Sequence, residues 1–247
     1  MKLLVFLISL ILISCSPAVP APSPTQAVSL STETLTAVPS ETPAPTTTVT
    51  PADTATPTTT STPVYSKLRG KVIINQAVCH YGPGAPYLYK YGVYKDYNLE
   101  LLSRDPQGIY IEIQAIGGNN PCWVKAEYFE IKGELSSLKP IMPEEVKLPW
   151  SPYYAPPIGV KASRSGDEVT ITWQPLSLKA GDDSEQTPYI VEAWVCQNGE
   201  LIFQPIGSYQ AVVKVNDQTG CSQSSRGRLL AAEKHGYTRP VEIPWPE

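Results

Sequence analysis

Hydrophobic and polar residues alternate from Glu168 to Trp173: Val169, Ile171 and Trp173 fall on one side, Glu168, Thr170 and Thr172 on the other. A period of two predicts a half-buried strand. The same spacing recurs at Tyr189, Val191, Ala193 and Val195, and Asn198-Gly199 follows as a hairpin turn signal. Residues 158–162, 209–215, 228–232 and 241–243 read as further strands, with a turn at Ser165-Gly166-Asp167. Upstream, residues 72–74, 99–103, 109–113 and 122–124 are strand candidates. Turn signals at Gly82-Pro83-Gly84, Asp105-Pro106-Gln107-Gly108 and Gly117-Gly118-Asn119-Asn120-Pro121 punctuate them. Many short strands at close spacing predict an all-β chain of small barrels or sandwiches.

The pattern divides the chain. Residues 64–133 form a first domain and residues 156–247 a second. Residues 134–155 read as a connector with Pro140, Pro143, Pro149 and Pro152, docked by Trp150, Tyr153 and Tyr154. Residues 16–63 contain 15 Thr, 10 Pro and 6 Ser, with no aromatic residue and no Lys or Arg. Such a segment buries too little apolar surface to offset the entropy of ordering, so a disordered stalk is expected.

Residues 1–14 combine Lys2 with an apolar run from Leu3 to Ile13. The run is too short for a membrane-spanning helix, which needs about 20 residues, and fits a secretory signal peptide. Its end, Leu12-Ile13-Ser14-Cys15, resembles the lipobox of bacterial lipoproteins. The resemblance implies cleavage before Cys15 and acylation of its thiol. Cys15 would then anchor the chain to the extracytoplasmic face of a bacterial membrane. The net charge is −4 with no basic stripe, which argues against nucleic acid as a partner.

Setting Cys15 aside leaves Cys79, Cys122, Cys196 and Cys221, an even number in a secreted chain and therefore a disulfide framework. No two cysteines have CxxC spacing and the two histidines lie far apart, so no metal site is expected. Four cysteines allow three pairings. Pairing within each domain lets each half fold alone, and is the expectation. In the chain-entropy model the two loops contribute about 4 and about 3.5 kcal/mol.

In the first domain, Val78-Cys79-His80-Tyr81-Gly82-Pro83-Gly84, Tyr87, Cys122-Trp123-Val124 and Tyr128-Phe129 together resemble a bacterial SH3 (SH3b) domain. The resemblance implies a small SH3-like barrel that binds cell-wall peptides or glycans. Tyr81, Tyr87, Tyr89, Tyr91 and Trp123, with Tyr94 alongside, are the candidate ligand-binding residues. Strand packing of the rings, with wet hydroxyls, is the competing reading. His80 reads as an exposed loop residue.

In the second domain, Val160-Lys161-Ala162, Trp173, Tyr189-Ile190-Val191 and the run from Ala231 to Gly236 resemble a fibronectin type III sandwich. The corner tyrosine of that family falls on Ser225. A generic immunoglobulin-like sandwich is the near alternative.

A nucleophile needs a base beside it, and only His80 and His235 are available. His235 precedes Gly236 in a strand-connecting loop and reads as a surface residue. Neither GxSxG, HExxH, Walker nor GxGxxG occurs, so no catalytic or cofactor-binding residue is assigned. Asp182-Asp183 and Glu144-Glu145 read as solvated loop acids. The expected function is non-catalytic: a membrane-anchored lipoprotein whose β modules bind peptidoglycan or an extracellular polymer. The alternative is a cell-envelope hydrolase with an unrecognised carboxylate site.

Overall fold

The computed structural model describes residues 64–247; the expected signal peptide, the expected anchor Cys15 and the Thr/Pro-rich segment lie outside them. The described part is all-β apart from three single 3-10 turns.

The first module contains β1 (Leu68–Val72), β2 (Gln76–His80), β3 (Tyr89–Tyr94), β4 (Asn98–Arg104), β5 (Tyr110–Ala115), β6 (Cys122–Lys125) and β7 (Phe129–Lys132). Their order in one sheet is β3-β2-β6-β5-β4-β1-β7. The β4-β5-β6 meander runs through a 3-10 turn at Ala126–Tyr128 into β7, which returns to pair with β1. Residues 72–74 were expected to be a strand, yet β1 ends at Val72. There the Val72 carbonyl and N–H are taken by Asp96 and Tyr97, and Ile73 turns outward. Alternate residues of the strands point inward, so Val72, Ala77, Val93, Leu101, Ile111, Ile113 and Val124 form the core.

Cys79 bonds to Cys122. The bond joins β2 to β6 where the ladder is thin, since His80 and Trp123 are the only paired residues of those strands.

The second module contains β9 (Lys161–Ser165), β10 (Glu168–Thr172), β11 (Tyr189–Gln197), β12 (Glu200–Ser208), β13 (Val212–Asn216), β14 (Arg226–Glu233), β15 (Gly236–Tyr237) and β16 (Val241–Glu242). One sheet runs β13-β10-β9 and the other β12-β11-β14-β15, with β16 also on β14. The fourth strand pairs with the third, whereas in an immunoglobulin constant domain it joins the first, second and fifth. The order is therefore that of a fibronectin type III-like sandwich. Val169, Ile171 and Trp173 meet Tyr189, Val191, Ala193 and Val195 in its core, as the alternation predicts. Asn198 (φ 53°) and Gly199 (φ 82°) make the hairpin turn between β11 and β12.

Cys196 lies on the opposite face of β11 from that core and bonds to Cys221 in a loop. Ser225, at the corner where a tyrosine was missed, donates to Asp217 at 2.5 Å. The same buried carboxylate accepts from Cys196 N–H at 2.8 Å, Trp245 Nε1 at 2.9 Å and Arg164. One acid ties four segments of the sandwich together.

The connector is docked, with Tyr154 accepting from Lys179 N–H at 2.9 Å and Trp150 lying under the Arg239 guanidinium, and further residues add to this. Leu138 is fully buried in the first core, and β8 (Lys139–Pro140) pairs in parallel with β4. Further on, Ser151 N–H donates to Tyr237 O at 2.8 Å, and Tyr237 N–H to Pro149 O at 2.8 Å. Trp150 and Tyr153 remain 56% and 67% exposed.

The two modules do not stand apart. Tyr87 and Leu88 of the first share a hydrophobic cluster with Ile190, Leu230, Ala232 and Tyr237 of the second. This explains why β11 is buried on both faces. Its odd-numbered residues fill the sandwich, and the first module covers Ile190 and Glu192. Each half has its own core, and this third cluster joins the two.

Candidate functional site

The five aromatic residues expected to line a ligand groove do not share one groove: Tyr81 and Tyr89 border one cleft, Tyr81 and Trp123 another, and Tyr91 a third. Tyr87 is 2% exposed and Trp123 3% exposed, so neither presents a face to a ligand. Tyr87 lies at the module junction because the Gly82-Pro83-Gly84 loop is itself buried and directs the following chain inward. A Cβ on Gly82 would sit 2.5 Å from the Tyr87 ring, so the loop closes over that ring only with glycine there. The Tyr87 hydroxyl donates to Glu192, and burial, then that neighbouring carboxylate, pushes it well above the usual tyrosine range.

Tyr81 is half-buried beside the same junction, with Lys90 Nζ 5.1 Å from its ring centre. His80 is not a loop residue. It ends β2, partly buried, with Nδ1 2.7 Å from Tyr87 O. Burial holds its pKa below the ordinary histidine value, against the opposing effect of that carbonyl. Tyr89 is exposed, but its backbone N–H is given to Gln186 Oε1 of the second module at 2.6 Å.

Tyr91 faces a groove that none of the other four lines. Its hydroxyl donates to Asn120 O at 2.6 Å, which pins the β5–β6 turn against β3. The groove has a volume of about 580 Å³. Val93, Leu99 and Ile113 form an apolar floor, Tyr91 and Tyr97 the walls, and Asn119 and Asn120 the polar rim, with the buried Gln114 beside them. Tyr97 is 52% exposed and makes an edge contact with Tyr94. Sequence reading took Asn119 and Asn120 only as turn residues and left Tyr97 out. The available signal was the run of tyrosines, which continues past Tyr94 to Tyr97.

Four carboxylates are buried among the described residues. Asp105 accepts from Tyr110 N–H at 2.7 Å, and burial raises it above the usual carboxylate range against that and neighbouring backbone donors. Glu192 pairs with Arg228 and accepts from Tyr87. Asp217 stays below the usual carboxylate range: burial opposes ionisation, and the donors from Ser225, Trp245, Cys196 and Arg164 outweigh it. Glu233 is lowered as well, since Ser151 and His235 overcome the cost of its burial. His235 is an exposed residue stacked on Tyr153, 4.6 Å between ring centres, with Nδ1 2.9 Å from Glu233. Asp182, expected to be a free acid, is held by Lys234 at 2.7 Å and by the Tyr154 hydroxyl. Glu144 pairs with Arg226 at 3.0 Å. Each of these acids is spent on a structural contact. Among the described residues no group of three or more His, Cys, Asp or Glu is placed to hold a metal ion. No described helix is long and apolar enough to cross a membrane.

No family model matches the chain, and no curated protein matches it. Two solved structures resemble parts of it. Titin kinase and its flanking domains share 29% identity over 36% of this chain and 16% of that one, with a TM-score of 0.28. A crystal structure of domains from titin shares 20% identity over 55% of this chain and 47% of that one, with a TM-score of 0.27. The chain thus matches less than half the length of either. The sandwich assignment rests on the strand order described above.

Proposed function

We propose that this chain is a membrane-anchored, non-catalytic lipoprotein that displays an SH3b-like and a fibronectin type III-like module and binds a cell-wall or extracellular polymer. The observation that carries this reading is the groove beside Tyr91 and Tyr97, an apolar floor between aromatic walls with amides at its rim. Few polar groups around an apolar cleft is the usual composition of a binding site. Two disulfides fit an extracytoplasmic location. The Leu12-Ile13-Ser14-Cys15 sequence supports anchoring there through an acylated Cys15. The segment 16–63, rich in Thr and Pro, serves as a spacer between anchor and modules.

Two measurements test the reading. Mass spectrometry of the native protein finds a mature amino terminus at Cys15 carrying diacylglycerol; an unacylated chain with its leader attached removes the anchor. Sedimentation with purified peptidoglycan or envelope polysaccharide retains the chain, and Tyr97→Ala reduces that retention. A chain left wholly in the supernatant removes the binding role.

A further inference from the structure

The groove also carries information about the charge and shape of what fills it. No Asp, Glu, Lys, Arg or His lines it. An anionic polymer or a charged peptide would find no counter-charge there and would lose part of its hydration on entry. The walls and rim instead pair aromatic faces with carboxamides. The face of a tyrosine ring carries the negative part of its quadrupole and attracts weakly positive C–H groups. A pyranose presents C–H groups on its flat face and hydroxyls around its edge. A carboxamide both donates and accepts, as a hydroxyl does.

Asn119 and Asn120 are exposed at the rim. Asn120 is held through its backbone carbonyl, which accepts from Tyr91 Oη, so its side-chain amide stays available. Gln114 differs: its Nε2 donates to Glu100 at 2.9 Å, which keeps it out of the opening.

A peptide would more naturally add as a strand along an open sheet edge. β3 is such an edge. Its first N–H, on Tyr89, is already bound by Gln186 of the second module. The Lys90 side chain is tied to Pro121 O at 2.6 Å. Strand addition is blocked at that end.

We infer that the groove takes an uncharged glycan chain, with a sugar ring set against Tyr97 and its hydroxyls bonded by Asn119 and Asn120. This rests on the polymer-binding reading and names the chemistry of the ligand. The full chain in detergent is titrated by fluorescence with cellohexaose, chitohexaose, pentaglycine and a hexamer of galacturonate. At least one of the two neutral hexasaccharides binds saturably, and about 0.5 M salt leaves that binding unchanged because no charge pair is screened. Tyr97→Ala weakens it at least tenfold, as does the pair Asn119→Ala and Asn120→Ala. These residues are exposed, so the thermal midpoint of each variant stays at the parent value. Failure of both neutral hexasaccharides overturns the inference, as does equal binding by Tyr97→Ala. If pentaglycine or the galacturonate hexamer binds instead, the ligand class is wrong and the polymer-binding role stands. A chain that also fails to sediment with envelope polymer loses both.

Discussion

The Tyr87 hydroxyl of the first module donates a hydrogen bond to the Glu192 carboxylate of the second, across 105 positions of sequence. Glu192 is also the partner of Arg228, whose Nη2 reaches Pro143 O of the connector at 3.3 Å. One buried acid therefore links the first module, the connector and the sandwich.

Tyr87→Phe removes a hydrogen bond to a charged acceptor and is expected to cost about 1.5–3 kcal/mol. Glu192→Ala leaves the Arg228 charge largely buried without its counter-ion, a loss of about 3–5 kcal/mol. Urea unfolding checks both. The parent unfolds in one transition, because the modules share a hydrophobic cluster. In Glu192→Ala the unfolding of the two modules separates. A parent that already unfolds in two steps contradicts the coupling.

Asp217 gives the sandwich a defined acid response. Its folded pKa lies below the ordinary value near 3.9, so its stabilisation is fully present above about pH 4. It is lost as pH falls through the lower folded value. Asp217→Asn keeps the volume but strips Arg164 of its charge partner, at a cost of about 3–5 kcal/mol near neutral pH. The difference in urea midpoint between parent and variant is expected to be flat from about pH 5 to 8 and to shrink below about pH 4. A gap that persists unchanged into acid would show that the carboxylate is not the source.

Gly84 is a close-approach position: a Cβ there would lie 2.6 Å from Pro205 Cγ in β12. Gly84→Ala is expected to destabilise the junction by about 1–3 kcal/mol through overpacking. Pro205→Ala removes the clashing atom. In a double-mutant cycle the pair is expected to cost less than the sum of the single changes. Strict additivity in thermal unfolding would deny the contact.

Much of the second module was legible because its strands alternate. Val169, Ile171 and Trp173 announce their shared face, and Asn198-Gly199 announces the hairpin. The cysteine pairs were legible from parity and from the two composition blocks, and both bonds are as expected. β2 and β3 were harder. Gln76, Val78 and Tyr89 are exposed, and β3 is rich in tyrosines that serve either face. The junction was not legible at all. The glycines of the Gly82-Pro83-Gly84 loop let it close over Tyr87, but the partners that bury this ring and leave Tyr89 exposed, Glu192 and Tyr237, lie far along the chain. The same holds for Glu192 and Asp217 themselves. Each sits among strand residues with no local sign that its charge is internal, because the partners that make its burial tolerable are brought together only by the fold.

The connector is hydrogen-bonded at both ends, to β4 through β8 and to Tyr237 through Pro149 and Ser151. Tension entering at β1 and leaving beyond β16 would therefore not simply draw out a slack tether. It would have to shear the backbone bonds at Tyr237 and expose the Tyr87 ring before the two modules could part. Strain along the chain would meet resistance from the joint as well as from the domains, and the Tyr97 groove would keep its bearing under modest load.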